Sequence, residues 1–151
     1  MAETVANSLN EQLLPLLQKE RFVLLTTIDK DTGGPNTSAI SWVYAPNELT
    51  ISFAVDNRSR IVENINDNKL VTLTLIGAGS VFSIAGEATV EAEKMEDVPL
   101  KLAKITVQIK EVRDVMFYGS RISAEPQYEK TYNKQAAAKL DEQVMTALKK
   151  A

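Results

Sequence analysis

The sequence predicts a mainly β domain of the α+β kind. It contains about six antiparallel strands in meander order, closed into a small barrel, with helices at the two ends and one inserted between the third and fourth strands. Three observations predict it. Apolar runs of strand length are separated by turn residues such as Asp29, Gly33, Gly34, Pro46, Asn47, Gly77 and Gly79. Helical spacing of apolar residues is confined to the two ends and to one short stretch after residue 59. Consecutive strands joined by tight turns pair antiparallel, and a closed barrel removes exposed edges.

The chain has 151 residues, 44% of them hydrophobic and 25% charged, which argues for one domain spanning residues 1–151 with a real core. A net charge of -3 argues against general nucleic-acid or anionic-membrane binding. No window approaches transmembrane length, and residues 1–7 lack a basic region before an apolar run, so the expected location is the cytoplasm. There is no Cys and no His. That removes disulfides, thiolate nucleophiles, imidazole bases and most transition-metal sites, and no metal site is expected. If the chain is an enzyme, a cofactor carries the chemistry.

Residues 4–19 read as an amphipathic helix, with Val5, Leu9, Leu13 and Leu16 at helical spacing. Ser8 and Glu11 have capping-box spacing, and Pro15 kinks the helix or begins a second turn. Residues 22–28 form the first strand and residues 36–44 the second, joined by a glycine turn. One face of the second strand carries Thr37, Ala39, Ser41 and Val43, small residues that suit either a flat ligand or close packing. The third strand covers residues 49–55, with Leu49, Ile51, Phe53 and Val55 on one side. A loop and a short helix follow, with Ile61, Val62 and Ile65 facing inward. Residues 69–76 and 81–93 are the fourth and fifth strands around the turn at residues 77–80, and Gly86 marks a bulge or a close backbone approach. Residues 94–102 read as a short helical connection. The sixth strand runs from residue 105 on through residue 118, and residues 128–150 form a C-terminal helix striped by Ala137, Leu140, Val144 and Leu148.

At the junction of loop and short helix stand Asn57, Arg58, Ser59 and Arg60. A helix N-terminus has unpaired N–H groups and partial positive charge, so this junction suits a phosphate or carboxylate. It also reads as a solvated loop in which Asn57 or Ser59 caps the helix. Trp42 stacks near a ligand or packs in the core or an interface. The acidic residues Glu87, Glu91, Glu93, Glu96 and Asp97 read as a solvated face.

The hairpin of residues 22–44, the basic-serine segment Arg58-Ser59-Arg60, the Asn64-Ile65 helix end and the Val71-Thr72-Leu73 strand together resemble the pyridoxamine-phosphate-oxidase-like family. The resemblance covers nearly all of residues 9–120. It implies a six-stranded split β-barrel, to which the helix at about 128–150 is an addition. It further implies a homodimer with FMN in two clefts at the subunit interface. The phosphate would fall to Ser59 and Arg60, with Arg58 adjacent. The flavin would lie along Thr37, Ser38, Ala39, Ile40 and Ser41, with Ala54 and Val55 in the floor. Tyr118 and Arg121 are candidates to complete the cleft from the partner subunit; sheet packing and a surface arginine are the alternative.

The function this implies is an FMN-dependent oxidoreductase on a small substrate. The alternative is a non-catalytic protein that binds or senses flavin, deazaflavin or haem on the same barrel. Ile61 stands where the family often has lysine, and no histidine or arginine matches those that the true oxidases use on substrate. Genuine pyridoxamine-phosphate oxidase activity is therefore not expected, and no residue is assigned a catalytic role.

Overall fold

The structure is a computed structural model that describes residues 5–150. Its elements are β1 (Val5–Ala6), α1 (Leu13–Leu16), β2 (Val23–Ile28), β3 (Pro35–Ile40), β4 (Val43–Asn47), β5 (Thr50–Asp56), α2 (Arg60–Asp67), β6 (Leu70–Gly77), β7 (Ser80–Ala92), β8 (Leu102–Asp114) and α3 (Lys134–Lys149). The sheet runs β3-β2-β6-β7-β8-β5-β4, with β1 added on β8. Every pairing is antiparallel.

The fold is a mainly antiparallel split barrel. Seven strands make the main path rather than six, because the predicted strand 36–44 is two strands interrupted at Ser41 and Trp42. The meander order holds for β2–β3, β4–β5 and β6–β7–β8. It fails where β2 pairs β6 and β5 pairs β8, because α2 carries the chain across the end of the barrel. The barrel is also not closed by hydrogen bonds: β3 and β4 end the path and are joined only through Ser41 and Trp42.

The core follows the strand alternation. Leu25, Leu73, Leu75, Ile84, Ile51, Phe53, Ile105 and Val107 are sealed inside. Gly86 sits at a register shift between β7 and β8, and a Cβ there would stand 2.3 Å from the Gln108 carbonyl oxygen. Both sequence readings of that glycine therefore apply. At the β6–β7 turn Ala78 and Gly79 take φ of 51° and 77°, the left-handed conformation that a tight hairpin needs.

Several helical expectations fail for local reasons. The N-terminal helix shrinks to α1, because the Asn10 side chain accepts from the N–H groups of Gln12 and Leu13 and starts the helix there. Residue 4 of the expected helix lies outside the described residues, and Val5–Ala6 pairs as a strand. Leu9, Leu13 and Leu17 are buried, while Leu16 is only half-buried. Residues 94–102 form no helix: Met95 N–H bonds the Leu102 carbonyl across an irregular loop in which Asp97 has a φ of 65°. β8 begins earlier than expected and stops at Asp114, whose carboxylate accepts from the Met116 N–H and the Ser80 hydroxyl, turning the chain away. The C-terminal helix begins at Lys134, because Asn133 caps the N–H groups of Gln135 and Ala136.

α3 covers a second apolar layer. Val144, Met145, Ala147 and Leu148 pack with Ala54, Met95 and Leu102, and Trp42 and Tyr44 flank them. This packing brings one face of α3 to the point where the barrel opens. Among the described residues, no helix is long and apolar enough to cross a membrane.

Candidate functional site

The opening of the barrel makes the site. β5 pairs β4 at Val43↔Phe53, while β3 turns away to pair β2 at Val23↔Ile40. The two walls diverge from Trp42, whose carbonyl accepts from Ala54 N–H. A cleft of about 490 Å³ fills the split, a volume in the ordinary range for small-molecule sites. β3 supplies Ser38, Ala39 and Ile40, continued by Ser41. Because β3 is an edge strand, backbone N–H and C=O groups on the side away from β2 are free to meet a ligand. β5 supplies Ala54, Val55 and Asp56.

The start of α2 closes one side, with Ser59 and Ile61 in the lining. Ser59 holds the N-cap position, yet its hydroxyl makes no cap bond. Its Oγ is buried and has no hydrogen-bond partner among the described residues. A buried polar atom left unpaired costs about 1–3 kcal/mol. This atom is the one the sequence proposes for a phosphate.

The two arginines beside it point elsewhere. Arg60 donates to Asp29 in the β2–β3 turn, with 59% of its side chain exposed. Arg58 pairs with Asp56 at 3.5 Å. Neither arginine lines the cleft, nor does Thr37, which is exposed and lies beside Thr26. Tyr118, 80% exposed, and Arg121 lie in the connection after β8, outside the lining of their own chain's cleft. The structure therefore gathers Ser38, Ala39, Ile40, Ser41, Ala54, Val55 and Ser59, and leaves Thr37, Arg58, Arg60, Tyr118 and Arg121 outside.

The Arg60 pair fixes the geometry of the helix start. Asp29 is nearly sealed, and its carboxylate also accepts from the N–H groups of Asp31 and Thr32. The Thr32 N–H first, and then Arg60, hold its pKa down at about 2. About one turn on, the buried Asn64 donates to Thr27 Oγ1 and Asn36 Oδ1 and accepts from Lys30 N–H. Through these bonds α2 is locked to the β2–β3 hairpin.

The other end of the cleft was not legible in the sequence. Phe22, Trp42, Tyr128 and Lys130 line it. Lys130 Nζ donates to Glu20 Oε2 at 2.7 Å and lies 3.2 Å from Asp141 Oδ2. Trp42 Nε1 donates to Asp141 Oδ1 at 2.8 Å, and Ser41 Oγ donates to Glu20. Burial pulls the Lys130 pKa down, but hydrogen bonds to Glu20 and Asp141 outweigh it and hold it above the usual lysine value. Burial raises the Tyr128 phenol, and Glu20 adds to the effect. Lys130 and Glu20 are 110 positions apart, and no local spacing signals such a pair. Trp42 was legible as a ligand or packing residue, and it serves the cleft wall and the α3 layer together.

A split barrel with a cleft at the split defines the class. A profile of the pyridoxamine 5'-phosphate oxidase family matches residues 9–145, nearly the whole chain. The chain belongs to the pyridoxamine 5'-phosphate oxidase-like family. Among solved structures, it is similar to a candidate pyridoxamine 5'-phosphate oxidase of Lactobacillus delbrueckii, at 18% identity and a TM-score of 0.62 over 74% of this chain and 98% of that one. It is also similar to the General Stress Protein 26 of Bacillus anthracis, at 12% identity and a TM-score of 0.54 over 68% and 91%. An F420 reductase matches at 17% identity and a TM-score of 0.52 over 68% and 96%. Likeness at these identities shows the fold alone. Comparison with curated protein sequences yields no match.

Proposed function

We propose that this chain is an FMN-binding flavoprotein of oxidoreductase type, acting as a homodimer on a small substrate. The observation that carries the reading is the buried, unpartnered Ser59 hydroxyl at the N-cap of α2, on the wall of a cleft lined by a small-residue edge strand. A phosphate there gains the hydroxyl, the free N–H groups of the helix start and the field of Arg58 and Arg60. β3 offers backbone groups and small side chains to a planar ring, with Ala54 and Val55 beneath it. The flavin, when bound, supplies hydride and electron transfer. The protein's residues bind it, orient it and exclude water.

The homodimer has its own support. The outer face of the sheet carries two registered rows, Thr37–Thr26–Thr72–Ala85 and Ala39–Leu24–Thr74–Ser83. These two rows carry no charged side chain across four strands, and they adjoin the cleft-lining edge of β3. Their short, uncharged side chains would let a second copy of the chain approach closely.

The test is an FMN titration followed by quenching of flavin fluorescence, with the parent and Ser59→Ala. The parent should bind stoichiometrically. Ser59→Ala should bind FMN several-fold more weakly, while its ligand-free form is at least as stable as the parent because the unpaired hydroxyl is gone. A Ser59→Ala protein that binds FMN as tightly as the parent would falsify the phosphate placement.

A second reading is a protein that holds the flavin, or a deazaflavin, without turnover. It is favoured by the engagement of the charged groups around the cleft: Lys130 with Glu20 and Asp141, and Asp56 with Arg58. Bound flavin that reduced nicotinamides leave oxidised supports it. Haem fits less well, because the chain has neither His nor Cys to ligate the iron.

A further inference from the structure

The cleft has two chemically different ends. Ser59 and the start of α2 stand at one, and Lys130 with Phe22 and Tyr128 at the other. Between them lie Ser38 to Ser41, about 10 Å of strand. Lys130 reaches this place from the connection between β8 and α3, which is no part of the barrel. Its side chain is 25% exposed. Glu20 and Asp141 grip the ammonium from two sides, and the Tyr128 ring lies 5.7 Å from it. The Ser41 and Trp42 hydrogen bonds hold those carboxylates in turn.

An ammonium has three N–H donors, and the two carboxylates take two. Asp141 meets the ammonium with both oxygens, no further acceptor among the described residues does, and Lys130 lines the cleft, which leaves the third donor to a ligand there. One cation between two carboxylates leaves this end with a net charge of about -1, so a second phosphate or carboxylate gains nothing there. A neutral carbonyl on the edge of a planar ring gains a charge-assisted hydrogen bond.

We infer that Lys130 is a specificity-determining residue of the cleft, donating to a carbonyl on the ring end of the ligand while Ser59 takes the phosphate end. The inference rests on the flavin reading above. Two consequences separate it from a purely structural latch. Loss of Lys130 weakens ligands that share the ring equally, whether or not they carry a phosphate. A ring carbonyl also gains negative charge when a flavin is reduced, so loss of the ammonium weakens the reduced form more than the oxidised one and lowers the reduction potential.

The experiment titrates FMN and riboflavin into the parent, Lys130→Met, Lys130→Gln and Lys130→Arg. The potential of bound FMN is measured by equilibration with redox dyes, and thermal midpoints are recorded alongside. The expected result is about a tenfold loss of affinity for both flavins in Lys130→Met and Lys130→Gln. A lowered potential should accompany it, by about 30 mV for a tenfold preferential loss of the two-electron reduced form. Lys130→Arg should restore most of both. Loss of FMN affinity with riboflavin unaffected overturns the inference, because it places Lys130 at the phosphate end. So does a lowered thermal midpoint with both affinities and the potential unchanged in either neutral variant, because that is a latch and nothing more. A parent protein that takes up neither flavin overturns the flavin reading and the inference together.

Discussion

Arg60 donates to Asp29 across 31 positions of sequence, tying the first residue of α2 to the turn between β2 and β3. The carboxylate is buried and the guanidinium is largely in solvent. This pair, with Asn64, decides where the helix begins and so where the Ser59 hydroxyl sits against the cleft.

The pair sets a pH dependence. Asp29 has its folded pKa lowered to about 2, below its unfolded value near 3.8. Between these values the unfolded state binds more protons than the folded one, so stability rises with pH. The contribution is fully present above about pH 4 and is lost as pH falls through about 2. Thermal midpoints measured from pH 5 to pH 2 should fall less steeply for Asp29→Asn than for the parent. Parallel curves would remove Asp29 from the acid sensitivity.

Asn64 is the other half of the lock. It is 1% exposed and bonds Thr27, Asn36 and the Lys30 N–H. Asn64→Ala takes a partner from the buried Thr27 hydroxyl and from the less buried Asn36 and Lys30 groups, and should cost about 1–3 kcal/mol in urea unfolding. Because α2 is then free to shift, FMN affinity should fall as well, although Asn64 does not line the cleft.

Gly86 permits the close approach of β7 and β8. An added Cβ would stand 2.3 Å from the Gln108 carbonyl oxygen and 2.8 Å from Val107 Cγ1. Backbone must move to admit it, so Gly86→Ala should cost about 1–3 kcal/mol. Denaturant midpoints measure the loss, and an unchanged midpoint would show that the ladder relaxes freely there.

The outer sheet face makes the fourth prediction. Thr74 sits at its centre, between Leu24 and Ser83 in register. Thr74→Lys should shift sedimentation from dimer to monomer while leaving far-UV circular dichroism intact. A variant that sediments as the parent does would remove this face from the proposed dimer.

Much of the β-structure was determined locally. The alternation of Leu73 and Leu75 with Thr72 and Thr74, the glycine turns and the close contact at Gly86 are encoded within a few residues, and the strands appear where that pattern places them. The short helix after Ser59 was legible for the same reason, with Val62 and Ile65 as its inward stripe. The family resemblance was legible in the same segment.

The helix ends were less so. Asn10, Asn133 and Asp114 each settle an element boundary with a pair of hydrogen bonds to one side chain, which periodicity does not reveal. What only the tertiary structure decided lies further apart in the chain. The break at Ser41 and Trp42 separates a uniform-looking strand into two walls, because its halves pair different partners. Arg60 was legible as a cation beside a phosphate site, but its pairing with Asp29 depends on docking α2 against the hairpin. Lys130, Glu20 and Asp141 meet only when the C-terminal connection and α3 fold back over the split. Local sequence encodes strand and turn; the far end of the cleft arises from long-range packing, and its charges acquire their roles only once buried together.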